Sequence, residues 1–272
     1  MSVLAITFGL ISLILSVLFV IDAIRFRHQI KTYVRYGFIL GLALLALDSA
    51  ILPLVPNFFA SMPLYKLLIV DTIALIKMIL FTCVGMYCCT LLNSRDLPLM
   101  RHLLDRSNQQ NDLPGWEVII PAASIVILAV AYSFVLFKLT SPQMSEWLRR
   151  VSEEQMAKAG ASMQPSLIAA LVVLEFAFAE EIIFRLGIQN YLARQFKLKD
   201  GNYWVAVVPT ALLWSLAHAN ILEPEWVKTA QVFPLGLALG FICRRYGAEV
   251  CILIHGAFNL IMMFLAPYLI AT

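Results

Sequence analysis

The chain is patterned as long uninterrupted apolar runs separated by short polar stretches, without the alternation of a half-buried strand or the single stripe of a soluble helix. A helix needs about 20 apolar residues to cross a hydrocarbon core. Eight segments reach or approach that length, at roughly 2–24, 36–58, 66–92, 116–139, 165–192, 202–222, 228–243 and 249–271. They predict an all-α, polytopic membrane protein with about eight transmembrane helices. Composition agrees, since 61% of the 272 residues are hydrophobic, only 14% are charged, and mean hydropathy is +0.84.

The first run lacks a basic stretch before its apolar core and is longer than a signal-peptide core, so it reads as a spanning helix. Arg25, Arg27, Lys31 and Arg35 follow it and place that loop in the cytoplasm by the positive-inside rule. Eight crossings then put both termini outside, with twelve Lys/Arg inside, six outside, and Lys77 and Arg185 within the membrane. Lys138, Arg149, Arg150 and Lys158 supply four of the six exceptions, all from one external loop. Compact length and the lack of long tails favour a bacterial inner (plasma) membrane. The net charge of +3 gives no reason to expect nucleic-acid binding. Cys83, Cys88, Cys89, Cys243 and Cys251 lie in or beside apolar helices without CxxC spacing, and read as packing residues.

Polar content divides the chain into three parts. Residues 1–142 form a four-helix membrane region with Asp48, Asp71 and Lys77 at membrane depth, expected to pair with one another across the second and third helices. Residues 143–164 read as an interfacial linker: the stretch 141–160 is amphipathic, with Met144, Trp147, Leu148 and Val151 at helical spacing, and should lie on the membrane surface. Residues 165–272 hold the suggestive chemistry. Pro121 and Pro209 are candidate kinks, and the small-xxx-small patterns Gly37–Gly41 and Gly236–Gly240 predict close helix packing.

Within "FAFAEEIIFRLG", residues 176 to 187, Glu180, Glu181 and Arg185 interrupt an apolar span that also carries Glu175. Each such charge costs about 2.5–3.5 kcal/mol at a helix centre on insertion scales. Glu181 and Arg185 are four apart and can pair internally, whereas Glu180 points about 100° away and has no basic partner on its own helix. Trp214 and His218 are four apart on the next helix, and His255 and Asn259 four apart on the last, each pair on one face. The remaining histidines, His28 and His102, fall in predicted cytoplasmic loops. A rise of 1.5 Å per residue puts Glu180 about 18 Å deep, His218 about 22 Å and His255 about 12 Å, a mismatch that tilt or a kink at Pro209 would absorb.

The plainer reading is that these groups only tie helices together by hydrogen bonds. An unpaired acid, two imidazoles and a carboxamide on three helices nevertheless have the makings of a hydrolytic site. Desolvation and a like-charged neighbour favour Glu180 as a general base near neutral pH, while Glu181 stays ionised beside Arg185. His218 would orient a water with Glu180, and His255 with Asn259 would stabilise an oxyanion.

"EEIIFR", "WSLAH" and "HGAFN" resemble, in order and spacing, the EExxxR, FxxxH and HxxxN/D motifs of the CPBP membrane proteases, also called the CAAX protease and bacteriocin-processing or Abi family. The resemblance covers about residues 165–271, with Trp214 where the family commonly has Phe. It implies an intramembrane endopeptidase with a catalytic cavity enclosed by its helices. Glu180 would be the catalytic glutamate, His218, His255 and Asn259 would complete the site, and Glu181, Arg185 and Trp214 would support it. CAAX endopeptidases of this family remove a C-terminal tripeptide from prenylated substrates, and bacterial relatives are linked to peptide maturation, sorting and bacteriocin immunity. The implied partners are a membrane-associated protein or peptide substrate and the lipid bilayer. No cofactor is required by the glutamate mechanism. Zinc bound by Glu180, His218 and His255 is the alternative, although no HExxH occurs. The rival functions are an acyl or lipid transferase on the same scaffold and a non-catalytic immunity protein. A transporter fits less well, because the ionisable groups cluster instead of lining a path.

Overall fold

The computed structural model describes residues 3–51, 64–105, 115–146, 148–150 and 167–270. In chain order the helices are α1 (Val3–Arg25), α2 (Arg27–Ile30), α3 (Val34–Ile51), α4 (Leu64–Leu92), α5 (Pro98–Leu104) and α6 (Ile119–Thr140). There follow α7 (Leu167–Glu180), a π-helical stretch over Glu181–Gln189, α8 (Asn190–Gln195), α9 (Trp204–Leu216), α10 (Glu225–Tyr246) and α11 (Ala248–Leu269). Two short strands, β1 (Gln143–Met144) and β2 (Leu222–Glu223), pair antiparallel, with Gln143 opposite Glu223 and Met144 opposite Leu222.

Burial runs inside out relative to a water-soluble domain. On α1, Leu13 is 62% and Ile24 63% exposed, and on α6, Ile120 is 75% and Leu139 80% exposed. Such surfaces are costly in water and free of cost against lipid tails. Among the described residues six helices are long and apolar enough to cross a membrane: Ile6–Arg25, Arg27–Ile51, Asp71–Leu92, Trp116–Thr140, Glu225–Tyr246 and Ala248–Leu269. The all-α polytopic membrane architecture read from the sequence therefore holds.

The fifth and sixth predicted spans differ from those six for identifiable reasons. The fifth is the continuous helical rod from α7 through α8, whose charges make it too polar to qualify by composition. The sixth, expected at 202–222, is helical only over the 13 residues of α9. Beyond it Asn220 adopts a left-handed backbone with φ of 66°, where Asn is better tolerated than most residues, and the chain turns to form β2. Pro209 lies inside α9, whereas Pro121 sits in the first turn of α6, where its missing N–H leaves no helical bond unmade.

Packing centres on α4 and on the π-helical stretch. α4 packs on α3, on the π-helical stretch and on α8; α9 packs on α10; α11 packs on α6, α7 and α10. Both small-residue patterns do what their spacing predicts. A Cβ on Gly37 would meet the Ile79 Cα at 2.7 Å, and one on Gly236 would meet the Trp214 ring at 3.0 Å. Gly85 of α4 lies so close to the Leu186 carbonyl that no side chain fits between them. All five cysteines are free and buried, as packing residues should be.

The interfacial linker is described only at its start. Ser145 donates through its backbone N–H to the Ile221 carbonyl at 3.1 Å and through Oγ to the Asn220 carbonyl at 2.5 Å, extending the β1–β2 contact. Trp147 and Val151, two of its four expected apolar contacts, lie outside the described residues.

Candidate active site

The site begins with a change of helical winding. α7 ends at Glu180, and from Glu181 the backbone takes the wider π-helical turn for nine residues. Such turns are rare and leave carbonyls displaced from ordinary α-helical partners. Asn190 supplies the missing donors, because its Nδ2 lies 2.9 Å from both the Arg185 and the Leu186 carbonyls. The Tyr203 hydroxyl donates to Asn190 Oδ1 at 2.7 Å, and Gln189 Nε2 donates to the Gly240 carbonyl at 2.9 Å. Gln189, Asn190 and Tyr203 are all buried, so this polar brace holds the wide turn from inside the bundle.

The brace sets two adjacent carboxylates in different surroundings. Glu181 is fully buried, with Oε2 at 3.3 Å from Arg185 Nε and Oε1 at 2.9 Å from His255 Nδ1. The predicted internal ion pair is therefore present, although its geometry leaves the guanidinium nitrogens without a hydrogen-bond partner. The guanidinium carbon instead sits 4.8 Å from the centre of the Trp214 ring, a cation–π contact in a dry environment. A carboxylate only accepts, so His255 Nδ1 donates to Glu181 and Nε2 is directed away from it.

Glu180 lies at the Nε1 edge of the Trp214 ring and remains partly accessible, its side chain 24% exposed. Trp214 Nε1 donates to Glu180 Oε2 at 2.6 Å, and His218 Nε2 lies 3.9 Å from the same oxygen. His218 Nδ1 is 2.9 Å from the Trp214 carbonyl, which can only accept. Nδ1 is accordingly the protonated nitrogen, and neutral His218 presents a lone pair on Nε2 toward Glu180. Trp214 meets both imidazoles edge-on, with ring centres 5.1 Å from His218 and 5.2 Å from His255. The depth mismatch is absorbed because α9 ends just past Trp214 and His218 lies in the turn that follows.

Asn259 is less tightly integrated. Its Nδ2 is directed at the Val173 carbonyl of α7 at 3.5 Å, the outer limit of a hydrogen bond. Zinc would need three ligand atoms converging at about 2.0–2.2 Å. Among the described residues no three His, Cys, Asp or Glu side chains are grouped to hold a metal ion, so Glu180, His218 and His255 as they stand do not form such a set.

Two expectations need correction. Among the described residues no ion pair joins Asp48, Asp71 and Lys77; Asp48 instead interacts with Glu175 of α7 as well as with Asp71. Lys77 is exposed and lines a lateral cleft with Leu44, Ala74, Ala179 and Ile183. His255, expected beside Asn259 at an oxyanion, also orients on Glu181, a role that spacing along one helix does not reveal because the partner comes from another. The sequence reading did not single out Lys228 of α10, whose charge acts on Glu180 and His218.

Residues 162–261 match the family model Rce1-like, described as Type II CAAX prenyl endopeptidase Rce1-like. No curated protein and no solved structure matches the chain. The matched segment contains Glu180, Glu181, Arg185, Trp214, His218, His255 and Asn259, so the family model covers every residue of the three motifs.

Proposed function

We propose that the protein is an intramembrane endopeptidase that hydrolyses a peptide bond of a membrane-associated protein or peptide by water activated on Glu180. The observation that carries this reading is the 3.9 Å gap between Glu180 Oε2 and His218 Nε2. It is too long for a hydrogen bond and suits a water held between the two. Both side chains are partly accessible, whereas the Glu181, Arg185 and His255 side chains behind them are at most 3% exposed. The wet acid is available for proton transfer, and the dry one holds structure.

In this mechanism Glu180 takes a proton from the water as its oxygen attacks the scissile carbonyl carbon. His255 in its imidazolium form, with the Nδ1 proton directed at Glu181 and the Nε2 proton free, and Asn259 Nδ2 donate to the oxyanion. Collapse breaks the C–N bond, and Glu180 returns its proton to the leaving amine. Trp214 fixes the Glu180 oxygen that faces His218, and so holds the water position between that oxygen and Nε2. The basic residues after α1 support a cytoplasmic first loop, as in a bacterial inner membrane with both termini outside.

Purified wild-type protein and the Glu180→Gln variant, incubated with a farnesylated CAAX-type peptide and followed by product mass, test the reading. A cut peptide with wild type and none with the variant is expected. An active Glu180→Gln protein would overturn the base assignment, and a mass gain in place of a cut would mean group transfer. Chelator treatment should leave cleavage intact; loss restored by zinc would replace the glutamate mechanism.

A further inference from the structure

Several cations of the bundle have an acid beside them: Arg35 pairs with Asp105, Arg101 with Asp96, Arg194 with Asp22 and Arg244 with Asp200. Lys77 of α4 differs. Among the described residues no carboxylate lies within ion-pair distance of its ammonium. It stands on the outward side of α4 with Ile73 and Ile76, which are 46% and 57% exposed. Ionisable groups inside membranes nearly always face the bundle interior or a watery cavity, and one turned toward lipid without an anion is expensive.

Lys77 forms the polar wall of a lateral cleft of about 360 Å³, a size typical of small-ligand sites. Leu44 of α3, Ala74 and Met78 of α4, Ala179 of α7 and Ile183 of the π-helical stretch complete it, and every lining side chain except Lys77 is apolar. The depth of the charge suits a lipid. The 22 residues Asp71–Leu92 extend about 33 Å, enough to cross a core of about 30 Å, and Lys77 lies six residues in, about 9 Å below the Asp71 end. Its Cβ points toward that end of the helix, and a lysine stem can lie along apolar surface to carry the ammonium further the same way. The charge thus reaches the level of lipid headgroups, with the cleft at the level of acyl chains.

We propose that Lys77 and this cleft bind one anionic glycerophospholipid, its phosphate on the ammonium and one acyl chain in the cleft. Charge complementarity selects the occupant. A purely hydrocarbon guest leaves the ammonium desolvated and unpaired. A zwitterionic headgroup brings its own cation to compete for the phosphate. An anionic lipid supplies the missing charge and the apolar body together, and enters sideways from the bilayer. The site does not depend on the endopeptidase reading, yet it lies against the machinery of that reading: Ala179 and Ile183 bracket Glu180, so the bound chain packs where the winding widens.

The test measures, by native mass spectrometry of the full chain in detergent, the Kd of the first bound lipid for phosphatidylglycerol and for phosphatidylcholine with identical acyl chains. Wild type should hold phosphatidylglycerol about fivefold more tightly, the effect of one basic side chain on an anionic headgroup. Lys77→Met should bring that ratio toward one and Lys77→Arg should keep it; Lys77→Gln replaces the Met variant if that protein does not insert. Ala74→Phe, which fills the cleft and leaves the ammonium in place, should weaken both lipids several-fold. Equal affinities in wild type, or a preference that survives Lys77→Met, overturn the proposal, because the ammonium then only reaches for interfacial water. Unchanged affinities in Ala74→Phe overturn it too, since the chain then lies elsewhere. Displacement of phosphatidylglycerol by inorganic phosphate or by an equal concentration of palmitate would assign the cation to a free anion or a fatty acid, and likewise overturn the lipid assignment.

Discussion

Two groups meet around Trp214: Glu181, Arg185 and His255, their side chains between 0% and 3% exposed, and Glu180 and His218, at 24% and 17%. The two groups contain the same chemistry, a carboxylate and an imidazole, and differ in access to water. The comparison teaches that two adjacent carboxylates in a membrane protein can be given a dry and a partly wet environment around one aromatic side chain. In the dry group Glu181 and Arg185 neutralise one another, so disruption of that pair should register as instability. In the wet group the same acid has one indole donor and an open oxygen, so disruption should register as lost turnover.

The sharpest way to break the comparison is Glu180→Gln. It should lower kcat by about 10²–10⁴-fold, the usual contribution of a general base, with an unchanged melting temperature in detergent. Arg185→Ala should do the reverse. It strands Glu181 in a dry pocket and should cost about 3–5 kcal/mol, read as poor expression or a large fall in melting temperature. Restoration of stability by adding Glu181→Gln would sharpen the point, because it removes the orphaned charge. Asn190→Leu frees the Arg185 and Leu186 carbonyls inside the bundle and should cost about 1–3 kcal/mol, with activity falling in step as the wide turn relaxes. Trp214→Phe should have the smallest effect. It keeps an aromatic ring and removes only the donor to Glu180, whose partly open carboxylate can take a water in exchange, so kcat should fall by no more than about tenfold with little change in stability.

Much of this site was legible because its partners are spaced by helical turns. Glu181 with Arg185 and Trp214 with His218 needed only the helical period, and their sequence order carried the family resemblance. The bundle itself was legible from apolar run length, which is a bilayer property more than a local one. What escaped the sequence is long-range or conformational. Nothing local marks Glu181–Gln189 as π-helical; the winding becomes comprehensible only once Asn190 and Tyr203 are seen bracing it. His255 meets Glu181 across two helices, because packing chooses among carboxyl and imidazole partners that composition leaves equivalent. Lys228 drew no attention because α10 begins three residues before it, a boundary that hydropathy alone blurs.

The contact of Gly85 with the Leu186 carbonyl bears on where this enzyme can be divided. Every motif residue lies within 162–261, yet the wall supporting their helix belongs to α4, and Phe19 of α1 stacks on both Phe81 and Tyr191. The matched segment is thus a chemical unit without being a mechanical one. Severed from the first four spans, it would lose the abutment that keeps its widened turn from unwinding.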